Sequence, residues 1–266
     1  MPILNKLKLQ FVKGRRSMIG RKLEKQLRSS KKRFVSLGDT HTSFFRPGWE
    51  TADLINADHI VDFRSQCLPF ADQTLDIVHS SHVVEHISNE SGLHVFKEIY
   101  RCLKPGGTLR ISTPDMDLLL DRYRSADWQF FLEADGQYIL SRVIRGDLSP
   151  ESILLHNRLV GWFASYSGRL DTAGGPIVDL QTVENKLTTL SKYDFRDWCV
   201  GLLKTERTYA HIHLYDYDEL HMSLMKAGFS TIYRSTYRES QCDAMMNPPI
   251  DSQKHQIYSL YVEATK

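Results

Sequence analysis

The chain has 266 residues, 41% of them hydrophobic and 25% charged, enough to bury a full core as one large domain or a domain with a sizeable insertion. Its apolar runs are short, which excludes a membrane-spanning helix, and no apolar core or small-residue cleavage site follows the basic N-terminus, so no secretory signal is expected. The net charge of +2 hides an asymmetry: residues 1–33 carry twelve Lys/Arg and one acid, Glu24, a net of +11, while the rest holds 22 basic and 31 acidic residues, a net of −9.

Residues 1–32 form a basic arm with Val12, Ile19, Leu23 and Leu27 at near-helical spacing between the charges. A basic amphipathic helix of this kind can lie on anionic lipid, contact nucleic acid, dock on an acidic partner, or cover the sheet edge of its own domain. From residue 33 the pattern turns to strand–loop–helix alternation. Strands are expected at Arg33–Gly38, Trp49–Leu54, Ile60–Phe63, Leu75–Ser80 and Thr108–Thr113. The clearest helix is "SGLHVFKEIYRCLKPGG": Leu93, Phe96, Ile99 and Leu103 share a face, Asn89 or Ser91 caps the start, and Pro105-Gly106-Gly107 ends it. Strand, helix, turn and strand make a βαβ unit, hence a parallel sheet covered by helices. Residues 116–210 break the rhythm with aromatic-rich helical pieces and a "DTAGGP" turn. Alternation resumes with the helix "YDYDELHMSLMKAGF" and two strands, "STIYRSTY" and "YSLYVEAT", suited to antiparallel pairing. The cysteines, Cys67, Cys102, Cys199 and Cys242, lack CxxC spacing and read as reduced thiols of a cytoplasmic protein.

In an open parallel sheet, ligands bind beyond the carboxyl ends of the strands, at the switch point of strand order. Polar residues stand at five such tips: Gly38 and Asp39, Asp53, Asp62, Ser80-Ser81-His82, and Pro114-Asp115. An acid at the second tip is the arrangement that binds a ribose diol, because one carboxylate can accept from both hydroxyls.

Residues 68–115, "LPFADQTLDIVHSSHVVEHISNE…FKEIYRCLKPGGTLRISTPD", resemble the central block of class I S-adenosylmethionine-dependent methyltransferases of the type 11 kind, a branch common in bacterial surface-polysaccharide pathways. "PGWETADLINADHIVDF", "HLYDYDELHMSLMKAGF" and "SLYVEATK" are similar to flanking segments of that branch, so the resemblance covers about half the chain. It implies a Rossmann-like α/β fold with a seven-stranded sheet whose last strand is antiparallel. The largely helical stretch 116–210 then follows the fifth strand as an insertion that caps the acceptor, within a domain of residues 33–266. It implies S-adenosylmethionine as cofactor, with Leu37, Gly38 and Asp39 at its methionine end and Asp53 on the ribose. Asp62 and Phe63 would meet the adenine, and Ser80 and Ser81 would close over the sulfonium. The departure from the pattern is Asp39-Thr40, where small residues and glycine are preferred; a Cβ there limits backbone approach to a ligand.

Methyl transfer to a hydroxyl needs an in-line acceptor and benefits from a general base, for which imidazole is suited at neutral pH. His82 stands at the fourth tip as the first choice; His86, at i+4, and Asp115 are further catalytic candidates, and Glu85 can orient either ring. His211, His213 and Tyr215 in "AHIHLYD" read as substrate contacts, with both imidazoles on one side if the segment is a strand. With His82 or Asp115 the two histidines could in principle make a metal site, but two imidazoles without a firm third ligand are more often substrate contacts, and no metal is assigned. Trp128, Phe130, Phe131, Trp162, Tyr166, Arg169, Tyr193 and Trp198 of the insertion combine stacking faces with a cation, which suits a sugar, nucleotide-sugar or glycan-linked hydroxyl, although rings in such numbers also build an insertion's core. The expectation is therefore an O-methyltransferase, cytoplasmic and held near a membrane face or partner protein by its arm. The competing expectation is a degenerate methyltransferase-fold scaffold of a glycan-assembly complex. The acidic body argues against a nucleic-acid partner, and "GDTHTS" lacks the GxGxxG of a nicotinamide site.

Overall fold

A computed structural model of the protein describes residues 32–38, 48–164, 177–203, 210–246 and 250–266. The basic arm, Asp39 and Thr40, Tyr166, Arg169 and the "DTAGGP" turn lie outside the described residues.

Seven strands form one sheet: β1 (Phe34–Leu37), β2 (Trp49–Asp53), β3 (His59–Ile60), β4 (Leu75–Ser81), β5 (Leu103–Pro114), β6 (Thr231–Ser235) and β7 (Ser259–Thr265). Their order is β3-β2-β1-β4-β5-β7-β6. Neighbours from β3 through β5 pair in parallel, whereas β7 runs antiparallel to both β5 and β6. The expected Rossmann-like α/β sheet with an antiparallel last strand is the observed one. Strand order reverses between β1 and β4, so the switch point lies at the tips of those two strands.

The helix expected after β4 is α1 (Asn89–Cys102), whose buried face carries Val95, Phe96, Ile99 and Cys102. Its cap is Ser88, accepting from the Ser91 amide, rather than Asn89 or Ser91. The helix stops at Cys102, and Leu103 is already extended and pairs with Leu75, so β5 begins five residues before the expected Thr108. Pro105 explains the early stop, since the residue before a proline is pushed out of the helical region.

After β5 the chain runs through α2 (Met116–Arg124), α3 (Trp128–Phe131), α4 (Gln137–Ile144), α5 (Leu155–Ala164), α6 (Leu180–Thr189) and α7 (Lys192–Gly201). These bury their own apolar cluster, with Leu119, Phe131, Leu159, Trp162, Phe163 and Phe195 inside it. Phe130, Phe131 and Trp162 therefore serve the insertion's core, while Trp128 and Tyr193 stay exposed. The chain returns to the sheet through residues 210–216 and α8 (Tyr217–Ala227), which packs on α1 over the main core. A last short helix, α9 (Asp243–Met246), lies between β6 and β7. Mid-sheet, the fully buried Arg110 of β5 is held by Asp251 at 2.6 Å and Glu263 at 2.8 Å, tying that loop to β7.

Candidate active site

The cofactor half is built at the tips of β1 and β2. Leu37 is fully buried, and Gly38 turns the chain at φ +76, its amide donating to the Ala52 carbonyl at 2.9 Å. A Cβ at Gly38 would stand 2.1 Å from Val83 Cγ2, so this position requires glycine both for its backbone and for its neighbour. Asp53 ends β2 with its carboxylate accepting from the Leu54 amide at 2.6 Å. Asp62, beyond β3, accepts from Arg64 at 2.7 Å, and that hydrogen bond holds its carboxyl below the usual range. Phe63 is buried in the main core. Ser80 is buried, and Ser81 Oγ accepts from Ser112 Oγ at 3.0 Å. A glycine-only tip beside β4, followed by an acid at the β2 tip, fits an adenosyl cofactor.

The residues expected on the acceptor side gather around one carboxylate. β4 ends at Ser81, and His82 adopts φ 54, a left-handed conformation that costs a non-glycine residue roughly 1–2 kcal/mol. This turn aims the ring at Glu85: His82 Nδ1 lies 2.9 Å from Glu85 Oε1, an ion-pair contact, with Glu85 in the 3-10 turn Val84–His86. His86 Nε2 lies 3.9 Å from the same oxygen, and Thr113 donates to Glu85 Oε2 at 3.2 Å. Glu85 is wholly buried. Burial works to raise its carboxyl; the His82 charge and hydrogen bond, with His86 and His211 adding to them, outweigh this and hold it down at about 2.

The returning segment is clamped to the turn, because the Ile212 and His213 amides donate to the Glu85 carbonyl at 2.8 and 3.2 Å. That brings His211 beside His86, with ring centroids 5.1 Å apart. Burial, with His86 adding, pushes His211 down to about 4, so the ring is neutral. His213 goes elsewhere: it faces Glu219 at 3.3 Å, beside Arg196. Tyr215 packs into the core against Phe96. The two imidazoles separate because residues 210–216 are not a sheet strand and bridge only once, Tyr215 with Asp115. Asp115 itself caps α2 and meets Arg234 at 2.5 Å.

Three site residues went unread in the sequence. His255 stacks on His82 with centroids 4.0 Å apart, and Ser259 Oγ lies 2.8 Å from His82 Nε2. Tyr258 meets both rings edge-on, its hydroxyl 2.6 Å from His255 Nδ1. Their signal was the direction of β7. An antiparallel strand begins where its parallel neighbours end, as the Pro114–Ser259 pairing shows, so "KHQIYS" had to lie at the tips. A separate cavity of about 1090 Å³ opens among the insertion helices, lined by Tyr123, Trp128, His156, Leu180 and Glu184 and by none of these site residues.

Residues 50–111 match the family model of a methyltransferase domain. The match runs from β2 into β5 and supports S-adenosylmethionine as the cofactor. No curated protein matches the chain. Among solved structures, it is similar to an S-adenosylmethionine-dependent methyltransferase from Thermotoga maritima at 14% identity, covering all of this chain and 97% of that one, with a TM-score of 0.41. Another such enzyme, from Mesorhizobium loti, is 15% identical over 88% of this chain and 90% of that one, with a TM-score of 0.37. A longer Nostoc punctiforme protein is 12% identical over 97% of this chain, which spans 59% of its length, with a TM-score of 0.38. None of the three is similar enough to transfer an activity.

Proposed function

We propose that the protein is an S-adenosylmethionine-dependent methyltransferase acting on a hydroxyl, with His82 as the general base that Glu85 orients. The observation that carries this reading is the His82–Glu85 pair, 2.9 Å apart at the β4 tip, with the carboxylate wholly buried. The cofactor supplies an activated methyl on a sulfonium. Gly38 and Asp53 would hold it, and the β4 tip faces the same switch point. His82 would take the acceptor hydroxyl's proton as that oxygen receives the methyl group. Glu85, ionised across the neutral range, fixes the Nδ1–H tautomer of His82 and stabilises the imidazolium. That leaves Nε2 for the acceptor. Ser259 Oγ, which donates to the His255 carbonyl at 2.7 Å, lies 2.8 Å from Nε2 and marks where an oxygen meets this ring.

Sugar and glycan hydroxyls are the acceptor class we assign, in keeping with the exposed rings of Trp128 and Tyr193 on the insertion. The test is transfer of labelled methyl to a panel of sugar and phenolic hydroxyls, alongside calorimetry with S-adenosylhomocysteine. His82→Asn is expected to lower kcat by ~10²–10⁴ with cofactor affinity unchanged, the span typical of a lost general base. A wild-type kcat in His82→Asn would overturn the role of His82. Failure to bind S-adenosylhomocysteine at millimolar concentration would overturn the enzyme reading.

A further inference from the structure

We propose that Glu85, His86 and His211 form a binding centre for a divalent transition-metal ion of the zinc class. One ligand atom from each residue lies within 4.8 Å of the other two. Zinc bonds of roughly 2.0–2.2 Å place ligand atoms about 3–4 Å apart, so small side-chain rotations close the set. The 3.9 Å between His86 Nε2 and Glu85 Oε1 already lies in that range.

The outer contacts of the two histidines point the same way. His86 Nδ1 donates to the Ala210 carbonyl at 3.1 Å, and His211 Nδ1 donates to the Trp162 carbonyl at 2.6 Å. A metal-binding imidazole characteristically donates its remote N–H to a carbonyl or carboxylate, which fixes the tautomer and presents the other nitrogen. Here both rings do so, and His86 thereby turns Nε2 toward the carboxylate. Glu85 is likewise oriented on both oxygens, by His82 and by Thr113. The backbone supports the same geometry: Glu85 and His86 are adjacent in one turn, and the Glu85 carbonyl grips the amides next to His211.

Two imidazoles and one carboxylate select against magnesium and calcium, which prefer all-oxygen shells, and suit zinc and its first-row neighbours. Three protein ligands leave a position open. Its neighbour in sequence and space is His82, so a cation there would polarise the acceptor oxygen whose proton His82 takes. That use of the ion rests on the O-methyl reading; the binding centre itself does not.

The experiment uses the full chain, stripped with a chelator, dialysed, and titrated with Zn²⁺ against a chromogenic competitor and with Co²⁺ by visible absorption. Calorimetry with S-adenosylhomocysteine follows on the same samples. One equivalent of Zn²⁺ is expected, with millimolar Mg²⁺ unable to compete. His86→Ala and His211→Ala are each expected to weaken binding by at least ~100-fold, beyond the 10–100-fold typical of losing an outer partner. His255→Ala, outside the ligand set, is expected to keep the equivalent. His86 is the more exposed of the two and the safer variant for folding, checked by circular dichroism; the Co²⁺ spectrum of the unaltered chain reports imidazole and carboxylate ligation without any variant. Absence of a stoichiometric site in the unaltered chain, or undiminished binding in folded His86→Ala, overturns the proposal. Metal binding without S-adenosylhomocysteine binding would overturn the cofactor reading and leave the metal centre standing.

Discussion

Gly38→Ala is the sharpest test of the cofactor tip, because two costs meet at that residue and can be separated. The first is conformational: φ is +76, and a residue with a Cβ pays roughly 1–2 kcal/mol to stay in the left-handed region. The second is steric: the new methyl would stand 2.1 Å from Val83 Cγ2, in a packed position where overfilling costs about 1–3 kcal/mol. Val83→Ala removes that Cγ2 and leaves Val83 Cβ at 3.4 Å, an ordinary contact. The second cost should therefore vanish in the double variant while the first remains. Four proteins complete the cycle: unaltered, each single variant, and the double, measured by urea unfolding and by calorimetry with S-adenosylhomocysteine. Gly38→Ala alone is expected to lose ~2–5 kcal/mol of stability and at least ~10-fold in affinity. The double variant is expected to be more stable than the sum of the singles by about 1–3 kcal/mol. Strictly additive costs, or unchanged cofactor affinity in Gly38→Ala, would refute the assignment of this turn.

Arg110→Met should cost about 3–5 kcal/mol, because it leaves Asp251 and Glu263 charged and unpaired in the interior; adding Asp251→Asn should recover part of that, and a loss below ~1 kcal/mol by urea unfolding would contradict the network. Asp115→Asn should preserve methyl transfer, since its carboxylate is engaged by the α2 cap and by Arg234. Burial raises the Asp115 pKa, so the stability tied to its protonated form is complete below the ordinary carboxylate range and is lost as pH rises through the folded value. The variant should therefore gain on the unaltered protein as pH rises above the ordinary carboxylate range in parallel unfolding curves; a gain on acidification would reverse the sign and refute it.

The sheet was legible because its signals are local. Alternation of strands and helices is a short-range pattern, and the sheet keeps it, although the helix before Pro105 ends early and Asp39 lies outside the described residues. The acceptor side was only half legible. Glu85 and His86 fit the capped start of a helix as well as a site, and nothing in their spacing reveals that the Glu85 carbonyl captures the amides of Ile212 and His213 from the far end of the insertion. His211 and His213 were paired by a strand period that the irregular segment 210–216 does not keep. His255 escapes the rule that ligands gather at the carboxyl ends of parallel strands, because β7 offers its amino end to the same edge.

The acceptor machinery is consequently an assembly of three segments: the β4 tip with its 3-10 turn, the return from the insertion, and the approach to β7. The first two bring imidazole to a single carboxylate and are tied together by the Ile212 and His213 amides on the Glu85 carbonyl, while the third stacks His255 on His82 and is tied to the end of β5 by the Asp115 amide on the Tyr258 carbonyl. Burying one carboxylate is unfavourable on its own, and here it is tolerated only when all three segments are in place around it. The insertion is therefore coupled to the chemistry through His211 whatever its outer groove binds, and a change that loosens the return at residues 210–216 should reach His82 through Glu85 before it disturbs the sheet. A substitution such as Trp162→Ala, which removes the ring stacked beside His211 and Tyr258, tests this coupling. It should depress kcat while leaving S-adenosylhomocysteine affinity near that of the unaltered protein, and an equal loss in both would mean that the insertion supports the whole fold rather than the acceptor side.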